Sequence, residues 1–217
     1  YAAPRNYPDI SDHGAAAKIF RISDPPNWRV ERSRIWQQTG KGKQSEFWRI
    51  DALQDYMTEV TGPEIYREAL FPPAYRGNYF VAEASTNLVH RDVITGDLPA
   101  LRASRAPAKS EFLASADPWT TPTCIETGPD GALYVCDMYR QIIEHPLDVL
   151  PEILAKYGIR AGSTMGRLWR VTTEAGRFVR PTLGRATPRE LARTLDHPGA
   201  WWRTTAQRLI LERPDTA

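Results

Sequence analysis

The chain has 217 residues, and its 28 basic and 26 acidic residues nearly cancel to a net charge of +2. This balance argues against a nucleic-acid-binding surface, and 25% charged residues with seven Trp and nine Tyr are typical of a folded, loop-rich protein rather than a disordered one. No apolar run approaches the roughly 20 residues of a membrane span, and no signal peptide is visible. A start at Tyr1 without an initiator Met, and an end at Ala217 a few residues after what looks like the start of a helical array, predict that the chain is a piece of a longer protein.

Two segments of the chain align with each other without a gap. They are residues 77–91 and 131–145, which start 54 residues apart. In each, a Gly precedes an alternating run that ends in an acid, Glu83 or Asp137, and a second apolar pair follows. Strand, turn and strand repeated at this spacing favour a radial or solenoidal β architecture such as a propeller. Two unrelated hairpins are the alternative.

The second copy belongs to a unit with four predicted strands, the number in a propeller blade. The predicted strands are residues 123–126, 132–137, 141–144 and 167–171. Between the last two, residues 147–158 predict a helical insertion, because Pro151 suits a helix start and Gly158 a helix end.

Two cysteines, Cys124 and Cys136, flank the sequence Gly-Pro-Asp-Gly at 128–131, which has the composition of a tight turn. If this turn joins antiparallel strands, the cysteines lie nearly opposite each other. A disulfide is then geometrically feasible and would indicate an oxidising compartment. Two half-buried free thiols on facing strands are the alternative.

The periodicity becomes helical toward the end of the chain. Residues 187–190, Thr-Pro-Arg-Glu, form a capping box with Pro at the first helical position. After Pro198, apolar residues recur at positions 202, 206 and 209. Two short helices joined by a Pro-containing turn predict the first unit of a helical repeat. We therefore expect propeller blades over residues 1–176, a linker over 177–186 and a helical repeat over 187–217.

Several longer motifs resemble the membrane-bound dehydrogenases abundant in Planctomycetes and Verrucomicrobia. These motifs are YRGNYFVAEASTNLVHRDV, TGPDGALYVCDMYRQIIEHP, RAGSTMGRLWRV and LDHPGAWWRTTAQRLILER. That family is similar to sorbosone and glucose dehydrogenase propellers, with HEAT-type helices after the propeller and, in many members, a c-type haem domain. The resemblance covers about residues 12–213. It implies a mainly β fold, made of the later blades of a six-bladed β-propeller and a short α-helical, HEAT-like C-terminal segment.

The resemblance also implies a function. The chain would be a fragment of a quinoprotein-type sugar or polyol dehydrogenase that passes electrons to a quinone or a c-type haem. Such an enzyme needs a base, cations for the acidic pyrroloquinoline quinone (PQQ), and often Ca²⁺. The expected partners are a sugar or polyol and a cytochrome domain, and the expected location is exported, periplasmic or membrane-associated. Because the early blades are missing, we do not expect a complete active site here.

Two qualifications follow from the sequence itself. The chain contains no Cys-x-x-Cys-His, so haem c would belong to a domain outside it. A propeller fold alone does not establish catalysis. The alternative function is a non-catalytic propeller and helical-repeat scaffold that binds carbohydrate through its abundant Trp and Tyr, or a protein.

Histidines at turns and strand ends are the candidate catalytic bases. His90 and His145 each end the second strand of a repeat unit, and His13 lies in an Asp-His-Gly turn that the resemblance favours. A structural histidine held by backbone hydrogen bonds is the alternative for each of them. His197, just before Pro198, is interpreted as a surface cap.

Asp137 is the strongest candidate for binding, because it ends the best predicted strand and is followed by Tyr139 and Arg140. We expect these three residues to contact substrate or cofactor, with Asp137 as a candidate Ca²⁺ ligand, and Asp137, Arg140 and His145 to share one loop-rich face. Alternatively, Asp137 holds its own loop by accepting backbone N–H bonds. Glu83, the equivalent acid of the first copy, is interpreted as structural.

Overall fold

The computed structural model describes residues 19–39, 57, 59–106, 109–144 and 149–213. Helix accounts for about 28% of these residues and strand for about 24%. Antiparallel sheets accompanied by helices agree with the expected combination of elements. The expectation of a mainly β fold is corrected, however, since helix is as abundant as strand.

The first sheet is an antiparallel meander of four strands in chain order, with a short fifth strand beside it. The strands are β1 (Val60–Ile65), β2 (Tyr79–Glu83), β3 (Leu88–Thr95), β4 (Arg102–Arg105) and β5 (Leu113–Ala114). Strand β4 pairs with the end of β3, and β5 pairs with its beginning. Four sequential antiparallel strands are also the composition of a propeller blade.

The second sheet has three antiparallel strands, β6 (Pro122–Thr127), β7 (Leu133–Asp137) and β8 (Arg167–Val171). The predicted strand at residues 141–144 is wrong. Its Ile142 packs instead with Trp28, Val149 and Ile153 in a separate apolar cluster. Strand β7 therefore pairs with β8 across the insertion.

Strands β2 and β7 are the structural equivalents of the sequence repeat, because their first residues, Tyr79 and Leu133, lie 54 positions apart. The first strand of the repeat is thus confirmed in both copies, and the second exists in the first copy alone. The two sheets share one core, formed by Tyr66, Phe71, Phe80, Ala82, Val89, Ile125, Leu133 and Val135. The described residues form no closed barrel or propeller.

Two helices pack on each other and on Ile142 in the segment after β7. Helix α1 (Asn27–Thr39) was not predicted, whereas α2 (Pro151–Tyr157) confirms the predicted insertion and ends at Gly158. Their interface combines apolar packing with one ion pair and a hydrogen bond. Glu31 of α1 accepts hydrogen bonds from Lys156 (2.7 Å) and from the Tyr157 hydroxyl (2.8 Å) of α2.

The C-terminal helices are α3 (Pro188–Thr194) and α4 (Ala200–Glu212). The predicted capping box is confirmed, because Thr187 and Glu190 exchange both reciprocal hydrogen bonds. The helices pack on each other through Leu191, Ala206 and Leu209, and Leu183 from the preceding segment joins the same cluster. The helices that the structure describes are all too short or too polar to span a lipid bilayer.

The predicted cysteine register is also confirmed. Cys124 of β6 pairs directly with Cys136 of β7, and both are free thiols. Cys124 is half-buried and Cys136 is exposed. This matches the alternative of two facing thiols on neighbouring strands.

Candidate functional site

Buried carboxylates end both repeat strands and tie them to the neighbouring strand. The side chain of Glu83 accepts backbone N–H bonds from Glu59, just before β1, and from Ser85. Asp137 likewise accepts N–H bonds from Thr121, just before β6, at 2.7 Å and from Tyr139 at 3.0 Å. We call this end of the two sheets the carboxylate end. The arrangement fixes the loops that follow β2 and β7.

The second oxygen of Asp137 is occupied as well. Its Oδ2 accepts hydrogen bonds from Arg167 Nε (2.9 Å) and Trp169 Nε1 (3.0 Å) of strand β8. Burial disfavours the charged form, but these four donors, led by the Thr121 N–H, outweigh it and lower the pKa of Asp137 below its ordinary value. Asp137 is therefore an ionised carboxylate with both oxygens bound by the protein.

Around Asp137 lies an aromatic–arginine cluster formed by Trp119, Tyr139, Arg167 and Trp169. The Arg167 guanidinium lies 3.9 Å from the Tyr139 ring centre and 4.9 Å from that of Trp169, and Trp119 packs beside Tyr139 with ring centres 5.8 Å apart. Trp169 is 46% exposed, so the cluster presents aromatic surface to solvent. A hydrogen bond with Asp117 raises the pKa of Tyr139. The cluster thus combines one exposed ring, that of Trp169, and two half-buried rings with a carboxylate at its rim.

The backbone of Tyr139 is unusual, with a φ of 50° in the left-handed region. Asp137 holds this turn through the Tyr139 N–H, and Gly162 packs against the Tyr139 carbonyl oxygen. Non-glycine residues rarely adopt this conformation, and those that do cluster at functional sites. The turn orients the Tyr139 ring toward Arg167.

Arg140 lines a small polar cleft next to the cluster. The cleft lies between the loops of the two sheets and the start of α1, and its polar lining includes Arg29, Ser85, Asn87, Thr121 and Gln141. Among the described residues, Arg140 makes one long bond, to the Arg160 carbonyl at 3.4 Å, so its guanidinium keeps donors for a ligand there. The cleft holds about 10 Å³, room for about one water molecule.

His90 lies away from this end and is fully engaged. Its Nδ1 contacts Glu111 Oε2 at 2.7 Å and its Nε2 contacts Asp92 Oδ1 at 3.0 Å. Glu111 also accepts bonds from Arg105 (2.6 Å) and from the backbone N–H of Phe20 (3.0 Å). Both ring nitrogens of His90 are thereby occupied, which leaves none for abstracting a proton from a substrate.

His13 and His145 lie outside the described residues, so the structure does not place them. Of the other predicted site residues, Asp137, Tyr139 and Arg140 do lie together at the carboxylate end. Sequence reasoning missed Trp119, Arg167 and Trp169 as part of this site. Trp119 comes from the loop before β6, and Arg167 and Trp169 come from β8. Asp137 pairs with Arg167 across the insertion, and a contact between residues so far apart in the chain produces no local sequence pattern.

The cofactors implied by the resemblance do not fit the described residues. No group of three His, Cys, Asp or Glu side chains that could hold a metal occurs among them. A Ca²⁺ ion at Asp137 would have to displace a bound donor, and the cleft at Arg140 is far smaller than a tricyclic quinone. We therefore derive no chemistry through PQQ or Ca²⁺ from these residues.

Comparisons with known proteins give a match to a family model. No curated protein and no solved structure matches the chain. A family model described as a domain of unknown function, DUF7133, matches residues 2–175, which include both sheets and the whole carboxylate end. The chain therefore belongs to the DUF7133 family.

Proposed function

We propose that this chain supplies a carbohydrate-binding face of a sugar or polyol dehydrogenase, with its two sheets as later blades of a six-bladed propeller. The observation that carries the proposal is the aromatic–arginine cluster at the carboxylate end. The resemblance of the sequence to sorbosone dehydrogenase-like proteins supports the choice of ligand.

The cluster has the chemistry that a sugar requires. The exposed ring of Trp169 and the half-buried rings of Trp119 and Tyr139 offer flat apolar surfaces for the C–H face of a pyranose. Asp117 and Arg140 offer an acceptor and a donor for its hydroxyls. Arg167 and Asp137 act as positioning residues, since their ion pair holds the rings in place.

In this proposal, the oxidation of the sugar is carried out by side chains and cofactors outside the described residues. His90 has no free nitrogen, and Asp137 has no free oxygen. The catalytic base, PQQ and Ca²⁺ would then be held by other parts of the protein, with His13 and His145 still candidates for the base. A cytochrome domain as electron acceptor and an exported, periplasmic or membrane-associated location belong to the same proposal.

A second candidate is a binding module without catalysis, as a propeller and helical-repeat scaffold for carbohydrate. One observation favours it: every described candidate for acid–base chemistry is already bound by protein partners. Both candidates share the sugar-binding face, and they differ in turnover alone.

The test measures binding and turnover separately. Calorimetry with a panel of neutral mono- and oligosaccharides should give saturable binding, and Trp119→Ala should weaken it about tenfold or more, because that side chain contributes mainly stacking. Leu168→Ala is the matched control, since Leu168 is 60% exposed on neighbouring β8 but points to the opposite face from Arg167 and Trp169.

Dye-linked oxidation by the full-length protein, with added PQQ and Ca²⁺, then separates the two candidates. Turnover supports the dehydrogenase, whereas binding without turnover supports the scaffold. The absence of any sugar binding, or equal binding by Trp119→Ala and wild type, would reject the proposed face.

A further inference from the structure

A second site lies at the other end of the sheets, where the C-terminal helices dock. A cavity of about 270 Å³ opens there between the β6–β7 turn, the loop after β1 and the start of α4. Its walls are mainly apolar and include Leu70, Val179 and Trp202. This volume is close to the lower end of small-molecule pockets.

A buried carboxylate lines this cavity. Glu68 is 3% exposed, and its Oε1 accepts the backbone N–H of Trp201 at 2.8 Å. Its Oε2 lies against Gly199, so closely that a Cβ at that position would overlap it. Within the described part of the chain, Glu68 has no ion-pair partner. The second acid on the wall, Asp130, differs because it is paired with Arg170 at 2.7 Å.

An imidazole and an indole lie next to Glu68 in the cavity wall. The Nδ1 of His197 accepts the Gly199 N–H at 3.0 Å, which places the proton of a neutral ring on Nε2. The same ring packs on Trp202, with ring centres 5.3 Å apart. The Trp202 indole N–H donates to the Pro129 carbonyl at 2.7 Å, which holds its ring in the cavity wall.

We propose that this cavity binds an alkylammonium group, with its N–H donors on Glu68 and its apolar body against Trp202 and Leu70. A buried carboxylate gains most from a cationic partner, and an indole face adds a cation–π attraction. A polyol would need several donors and acceptors, whereas the side chains of this wall offer one unpaired carboxylate and one imidazole edge. The group comes from a free amine or from a lysine side chain of a polypeptide.

The test uses the full chain and follows the indole N–H signal of Trp202 by NMR, assigned with Trp202→Phe. Butylammonium should shift the signal saturably, and 1-butanol and butyrate at the same concentration should not. Glu68→Gln keeps an acceptor for the Trp201 N–H but removes the charge, and should weaken binding at least about tenfold. Glu126→Gln, at an exposed acid of β6, is the control and should bind as the wild type does.

A second variant protects the test against loss of folding. Val179→Trp fills the cavity mouth from a position that is 39% exposed, so it should abolish binding while Glu68 stays intact. A lysine-containing tripeptide that binds more tightly than butylammonium assigns the group to a polypeptide, and the reverse order assigns it to a free amine. Equal shifts with 1-butanol, unchanged binding by Glu68→Gln, or binding that persists in Val179→Trp would overturn the proposal.

Discussion

Glu83 and Asp137 lie 54 residues apart and accept hydrogen bonds from backbone N–H groups at equivalent positions of their respective sheets. One belongs to the residue before the neighbouring strand and the other to the residue two positions ahead. Both carboxylates are almost fully buried. The repeat therefore preserves a structural role for the acid, and Asp137 adds to it the ion pair with Arg167.

We predict that replacing either acid destabilises the fold. Asp137→Ala should lower the free energy of unfolding by about 3 kcal/mol, since a buried donor that loses its acceptor costs about 1–3 kcal/mol. Glu83→Ala should have a similar effect for the same reason. Urea unfolding measures both, and Glu126→Ala, at an exposed acid of the same sheet as Asp137, should change stability little.

A different result would assign Asp137 another role. If Asp137→Ala unfolds at the wild-type urea concentration yet no longer binds sugar, the carboxylate contacts ligand rather than supporting the loop.

Acid should destabilise the protein through two buried carboxylates. Burial opposes ionisation of Glu111, but His90 and Arg105 outweigh it and lower the pKa of Glu111, as four donors do for Asp137. A lowered folded pKa gives stability that is complete above the ordinary value of about 4 and is lost as pH falls through the folded pKa. Urea midpoints should therefore drop below about pH 4, and Glu111→Gln should reduce that drop.

Glu64 provides a comparison of opposite sign. Burial raises the pKa of Glu64, so its ionised form costs stability at neutral pH. Glu64→Gln should leave neutral stability equal or higher and should not reduce the drop in acid. If Glu64→Gln and Glu111→Gln change the pH profile alike, the buried contacts of Glu111 do not determine the acid sensitivity.

The sequence predicted those elements whose signals are local. The alternation of apolar and polar residues predicted β2 and β7, and a Pro at the start with a Gly at the end predicted α2. The capping box found α3. Helix α1 was not predicted from the sequence because arginines occupy two of its buried positions. Arg29 pairs with Glu59, Arg32 pairs with Glu144, and both pack over Trp28, so no apolar stripe appears in the sequence.

The site was predicted in part, for a related reason. Residues 137–140 follow a strand directly, so they could be recognised as one loop. The pairing of Asp137 with Arg167 and Trp169 depends on β8 returning to β7 after an insertion. Ile142 was predicted to lie in a strand because the apolar pair Ile142-Ile143 gives the same sequence pattern whether it belongs to a strand or packs against helices.

The cysteine pair should show unequal reactivity. Burial raises the pKa of Cys124, so less of its reactive thiolate forms at neutral pH, whereas Cys136 is exposed. Iodoacetamide should therefore label Cys136 well before Cys124, as followed by peptide mass spectrometry. Mild oxidation should join the two in one chain, because directly paired antiparallel residues have Cα atoms about 4.5–5.5 Å apart. Equal labelling rates, or disulfides between chains alone, would contradict this.

Two glycines allow a direct test of the turn at Tyr139. Gly158 and Gly162 both have a positive φ, at 73° and 85°, so alanine is strained at either position. A Cβ on Gly158 meets no atom nearby, whereas one on Gly162 would overlap the carbonyl oxygen of Tyr139. Gly158→Ala should thus cost about 1–2 kcal/mol of stability and leave the aromatic–arginine cluster unchanged. Gly162→Ala should cost more and also move Tyr139 and Arg140, which would weaken sugar binding by calorimetry. Equal stability loss and equal sugar binding in the two variants would show that the contact between Gly162 and Tyr139 does not position the cluster.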